Sequence, residues 1–124
     1  MKASILSLIF LLTAAATQAQ LKNTKWQGNM NIPNEAKVIL DFKTDSVDIL
    51  VGDAGQVIET MVYAVKDSII TLKKTSGNSP CNVGDEFKIK YKISDDKMWI
   101  SNFSDPCDPR VQAWVTDPYV RVKQ

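Results

Sequence analysis

Apolar residues recur at every second position through most of this chain, in short stretches separated by polar turns. Asp85 to Ser94 shows the pattern most clearly: Phe87, Ile89, Tyr91 and Ile93 alternate with Lys88, Lys90 and Lys92. A period of two puts one set of side chains on each face of a β-strand, so one face is apolar and the other cationic. Val38, Leu40 and Phe42 repeat the pattern, as do Val47, Ile49 and Val51. Gln56 to Val65 sets Val57, Met61, Tyr63 and Val65 on one side, and Ser68 to Lys74, Lys97 to Phe103, Thr24 to Asn31 and Tyr119 to Lys123 also read as strands. The turns between them are Thr44 to Ser46, Gly52 to Gly55, Lys66-Asp67 and Asp95-Asp96, with a longer loop from Thr75 to Gly84. Gly, Asp, Asn and Ser dominate these breaks, as turn geometry requires.

About eight short strands at this spacing predict an all-β barrel or sandwich. Sequential hairpins favour an up-and-down antiparallel meander, and an eight-stranded meander can close on itself and remove its exposed edges. Helical periodicity is missing from residues 20 to 124, apart from a possible short turn at Pro109 to Trp114. A barrel of eight strands is wide enough either to be filled by side chains or to hold one small ligand.

Residues 1–19 carry a different signal. Lys2 precedes an apolar run from Ile5 to Ala16, and Thr17-Gln18-Ala19 ends it with small residues. This is the pattern of a secretory signal peptide cut after Ala19. The run is shorter than the ~20 apolar residues of a membrane span, and no cysteine stands near the cut to carry a lipid anchor. The expectation is one domain over 20–124, secreted or periplasmic, with no membrane span in the mature chain.

Charge narrows the partners. The whole chain has a formal net charge of +1, and loss of Lys2 brings it to zero. Nucleic-acid binding calls for clustered excess positive charge, which this balance does not supply. The lysines of Lys88 to Lys92 read as a solvated strand face. No partner protein is named by any motif. The sequence has no histidine, so a Ser-His-Asp or Cys-His arrangement is excluded. Acidic pairs at Asp85-Glu86, Asp95-Asp96 and Asp105/Asp108 fall at turns or strand ends, where local backbone hydrogen bonding favours them. Asp105 and Asp108 match no calcium-loop spacing, and two distant cysteines make a poor zinc site. No catalytic residue, cofactor or metal is expected.

Cys81 and Cys107 are the two cysteines of the chain. In an exported protein an even count points to a disulfide. The strand residues raise a second question. Phe42, Met61, Tyr63, Phe87, Ile89 and Tyr91 lie on several strands, and their inward members face the barrel axis. They either pack on each other as core or surround a pocket in which a polar tip such as a tyrosine hydroxyl orients a ligand.

Two residue sets resemble a known family. One is L-K-N-T-K-W-Q-G, with Trp26 on the first strand; the other is P-C-x-x-G followed by alternating strands and D-P-C-D-P-R, with Cys107 and Arg110. Together they resemble small lipocalin-like proteins exported by bacteria, within the lipocalin and fatty-acid-binding group. The resemblance implies an up-and-down barrel with a central cavity for a small hydrophobic molecule. It also implies that Trp26 closes one end, with Arg121 across it or Arg110 in its place. The alternative is a non-enzymatic interaction or structural module, with a filled barrel and a working surface loop at Thr75 to Gly84.

A bridge between Cys81 and Cys107 contributes ~3–4 kcal/mol by restricting the unfolded chain. Cys81→Ser, or reduction, is therefore expected to lower the denaturant midpoint by a shift of that order. An unchanged midpoint would mean that the bridge is absent or contributes nothing to stability.

Overall fold

The computed structural model describes residues 20–123; the expected leader, 1–19, lies outside them. Eight strands form a closed barrel in sequence order: β1 (Thr24–Asn31), β2 (Glu35–Phe42), β3 (Ser46–Val51), β4 (Gln56–Lys66), β5 (Ile69–Gly77), β6 (Glu86–Ser94), β7 (Lys97–Ser104) and β8 (Tyr119–Val122). Every neighbouring pair is antiparallel. A single helical turn, α1 (Asp108–Val111), lies between β7 and β8. The meander barrel expected from the period-two pattern is the fold observed, and Pro109 lies inside the one helical segment among the described residues.

The tight turns rest on aspartate. Asp67 and Asp95 have φ of 58° and 57°, a left-handed conformation that Asp tolerates because its short side chain bonds the local backbone. The reversal between β4 and β5 sits at Asp67 and Ser68, one residue later than the spacing suggested. These turns gather at one end of the barrel with the β2–β3 turn.

That end is closed by packing. Leu21 and Trp26 are fully buried. Thr24 donates its hydroxyl to the Leu21 carbonyl, and Trp26 Nε1 donates to Thr24 Oγ1 at 2.8 Å. Above this plug, Phe42 and Tyr63 meet edge to face at 5.2 Å and 81°, a favoured aromatic geometry. Tyr63 donates its hydroxyl to the Lys43 carbonyl at 2.7 Å. Val38, Leu40, Val47, Ile70, Leu72, Ile89 and Met98 complete the buried layer.

Three β-bulges interrupt the ladders. Ile58 is the extra residue between β3 and β4, Thr75 between β4 and β5, and Phe103 between β6 and β7. All three lie toward the end opposite the plug. A bulge bends its strand and strengthens local twist, which opens the mouth of a barrel. It also reverses side-chain parity. Val57 was expected on the inner side with Met61 and Tyr63; the bulge at Ile58 turns it outward to 47% exposure. Phe103 is likewise half exposed outside the barrel, with Lys90 Nζ 5.1 Å from its ring centroid.

The ring is thinnest where it closes. β8 pairs with β1 through Lys25–Val122, Trp26–Arg121 and Gln27–Val120, and with β7 only through Lys97–Val120 and Met98–Tyr119. Tyr119, fully buried, covers this seam. Its ring lies on Gly28, where an added Cβ would fall 2.5 Å from Cδ2, and its hydroxyl donates to the Asn29 carbonyl at 3.3 Å. Gly28→Ala is expected to displace the ring and lower stability by ~1–3 kcal/mol, the usual cost of overpacking. Equilibrium unfolding of the variant measures this; an unchanged midpoint would show that Tyr119 does not seal the seam.

Candidate functional site

The end opposite the plug holds a pocket of about 660 Å³. Every connection at that end except the β3–β4 turn contributes to it. Met30, Asn31, Ile32 and Pro33 come from β1 and the β1–β2 turn. Ile49, Ile58, Glu59 and Met61 come from β3 and β4, and Phe87 from β6. The β5–β6 loop supplies Asn78 to Cys81, and the β7–β8 connection supplies Asp108 to Arg110 and Gln112 to Trp114. The wall is mostly apolar, and the volume falls in the ~300–1,000 Å³ range of small-molecule sites.

Two loops are joined to make this rim. Cys81 and Cys107 form a disulfide with Cα atoms 5.8 Å apart, tying the β5–β6 loop to the β7–β8 connection. The connection then crosses to β1. Asn31 donates its backbone N–H to the Ala113 carbonyl at 2.9 Å, and Trp114 makes an isolated bridge to Met30. Residues 105–118 thereby cover the gap left where the short β8 stops.

Arg110 is the polar centre of the rim. It is 6% exposed, and its guanidinium carbon lies 3.8 Å from the Phe87 ring centroid, well within cation–π range. Nε donates to Asp105 Oδ2 at 2.7 Å and Nη2 to Asp105 Oδ1 at 2.8 Å. This fork-to-fork pairing fixes the guanidinium in one orientation. Asp105 Oδ1 also accepts from the Cys107 backbone N–H at 2.9 Å, so the carboxylate is engaged by its own turn. Arg110 Nη1 and Trp114 Nε1 are buried and meet no acceptor among the described residues.

A second ion pair lies beneath the β5–β6 loop. Lys74 and Glu59 are both buried, with Nζ and Oε1 3.5 Å apart. Ser79 bridges them: its hydroxyl donates to Glu59 Oε1 at 2.6 Å and accepts from Lys74 Nζ at 3.1 Å. Lys74 also donates to the Cys81 carbonyl at 2.7 Å and the Ser79 carbonyl at 3.1 Å. The ammonium thus serves as an anchor for the loop backbone. Gly77 permits the close approach; its φ is +140°, and a Cβ there would fall 2.6 Å from the Ile58 carbonyl oxygen.

The six cavity candidates divide along the barrel axis. Met61 and Phe87 line the pocket. Phe42, Tyr63, Ile89 and Tyr91 belong to the packed core and do not reach it. Burial raises the pKa of the Tyr63 phenol, with a smaller contribution from Asp45, and burial raises that of Tyr91. The Tyr91 hydroxyl finds no acceptor among the described residues.

The structural residues also sort differently from the expectation. Arg121 pairs with Trp26 across the β1–β8 ladder but is exposed. The arginine stacked on an aromatic ring is Arg110, on Phe87, at the other end. Glu59 and Lys74 drew no attention in the sequence, although parity identified them: Lys74 follows Ile70 and Leu72, and Glu59 precedes Met61 and Tyr63, on the inward face. Among the described residues no three acidic or cysteine side chains gather into a metal-holding group.

Lys74→Met leaves Glu59 buried without its partner and is expected to cost ~3–5 kcal/mol, whereas Glu59→Leu with Lys74→Met should cost clearly less. Denaturant unfolding of both variants decides it, and equal losses would contradict the anchor role. Comparisons with protein-family models, with curated proteins and with solved structures return no match, so the role of the pocket is read from its geometry.

Proposed function

We propose that this protein is an exported, lipocalin-like, non-enzymatic carrier or sensor that holds a small apolar molecule in the pocket at the mouth of its barrel. The observation that carries this reading is the pocket itself: about 660 Å³, mostly apolar, and framed by a disulfide-tied rim. A mouth braced by Cys81–Cys107, Arg110–Asp105 and Lys74–Glu59 needs little ordering on binding, and preorganisation of this kind favours affinity. The disulfide is consistent with the oxidising compartment that export implies. The buried charged groups, Arg110 with Asp105 and Lys74 with Glu59, are engaged in structural pairs, which supports binding over catalysis. A second reading is an interaction module working through the β5–β6 loop, and the exposed Val83 at its tip, 64% accessible, favours it.

Protein purified from its native host is expected to release an apolar compound at near-stoichiometric yield on solvent extraction and mass spectrometry. Added ligand at one hundred times its Kd should stabilise the fold by ~2.7 kcal/mol, seen as a rise in Tm. Ile58→Trp projects a large side chain into the pocket and should abolish that rise while the protein remains folded. An empty extract, with no Tm change across a panel of neutral and acidic lipids, would contradict carriage and favour the loop reading.

A further inference from the structure

Two hydrogen-bond donors stand without partners in the wall of this largely apolar pocket. Arg110 Nη1 and Trp114 Nε1 are both buried and meet no acceptor among the described residues, and both side chains line the pocket. Buried donors are almost always satisfied, so two in one wall call for an explanation. Arg110 is not loosely placed: Asp105 holds two of its nitrogens and Phe87 lies under its plane. The unused arm is therefore presented by a rigid frame.

The charge around that arm is already balanced. The Arg110 cation faces the Asp105 carboxylate at 2.7 Å, and the Lys74 cation faces Glu59. Asp108, in α1, also borders the pocket but is exposed to solvent. The four buried groups sum to zero, so no cation is left over to pair with a ligand carboxylate. Burying that carboxylate without a countercharge is costly. An uncharged oxygen would accept from the free donors without that cost.

Resting on the carrier reading, we infer that the pocket selects neutral amphiphiles: apolar molecules whose one polar feature is an uncharged acceptor oxygen, such as a ketone, ester or alcohol. Arg110 Nη1 and Trp114 Nε1 bind that oxygen, and Met30, Ile49, Ile58 and Met61 take the apolar body. The donors reject a plain hydrocarbon because it leaves them unpaired. The lack of a spare cation rejects the fatty acid.

Competition against Nile red, a neutral fluorescent probe, tests this with three ligands of equal length: decane, 2-decanone and decanoate at pH 7. The expected order is 2-decanone tightest, by about tenfold or more over each of the others. Trp114→Phe keeps an aromatic wall and removes one donor. Arg110→Lys keeps a cation for Asp105 and removes the free arm. Each should erase most of the preference of 2-decanone over decane. Equal displacement by decane and 2-decanone would overturn the head-group assignment and leave carriage standing. Decanoate binding tighter than 2-decanone would overturn the charge argument, as would an undiminished ketone preference in both variants overturn the donor assignment. Failure of Nile red and all three ligands to bind would contradict carriage itself, and the inference with it.

Discussion

An eight-stranded antiparallel ring encloses only enough room for a layer of side chains or one small ligand, and this barrel divides that room along its axis. At one end Trp26, Leu21, Phe42 and Tyr63 pack against each other and fill it. At the other, bulges at Ile58, Thr75 and Phe103 interrupt the ladders, and a pocket of about 660 Å³ lies between the walls. The filled half provides the hydrophobic burial that stabilises a small domain. The open half is then free to carry function without a second core.

Keeping that open half from collapsing falls to polar and covalent ties. Cys81–Cys107 joins the two rim loops, Asp105 braces Arg110 within the β7–β8 connection while Arg110 stacks on Phe87 of β6, and Lys74, paired with Glu59, holds the β5–β6 loop. Buried ion pairs are weak evidence for stability, because desolvation offsets much of their attraction. Their value here is geometric: each holds backbone that no strand ladder reaches. Lys74 fixes the β5–β6 loop through the Cys81 and Ser79 carbonyls. Asp105 fixes both Arg110 and the N–H of Cys107. The short β8 makes such ties necessary, since β7 meets it at only Met98 and Lys97, and residues 105–118 must cover what the ladder leaves open.

Much of the architecture was legible in the sequence because a period of two is a local signal. Alternation located the strands, and Gly and Asp located the turns. Bulges were illegible, because one inserted residue leaves composition unchanged while reversing everything beyond it; Val57 faced outward for that reason. Strand ends were also misjudged. β2 starts at Glu35, three residues before the alternation that began at Val38, and β5 runs to Gly77, into the stretch read as the Thr75 to Gly84 loop. In the candidate site, Met61 and Phe87 line the pocket whereas Phe42, Tyr63, Ile89 and Tyr91 lie in the packed core, because depth along a strand cannot be read from parity. Arg110 was noticed for a different role. Its place under the rim follows from Cys107 and Asp105, a tertiary arrangement that no local pattern encodes.

Backbone amide chemical shifts during titration of isotope-labelled residues 20–124 with Nile red test the central claim most directly, since they locate a ligand along the barrel axis. The account predicts perturbations confined to the mouth: the amides of Ile58, Glu59, Asn78, Ser79, Cys81 and Arg110, and the Trp114 indole N–H. Signals from Trp26, Tyr63 and Tyr91 should stay still. Perturbations centred on the plugged end, or spread over the outer face of β6 and β7 with the mouth silent, would contradict it.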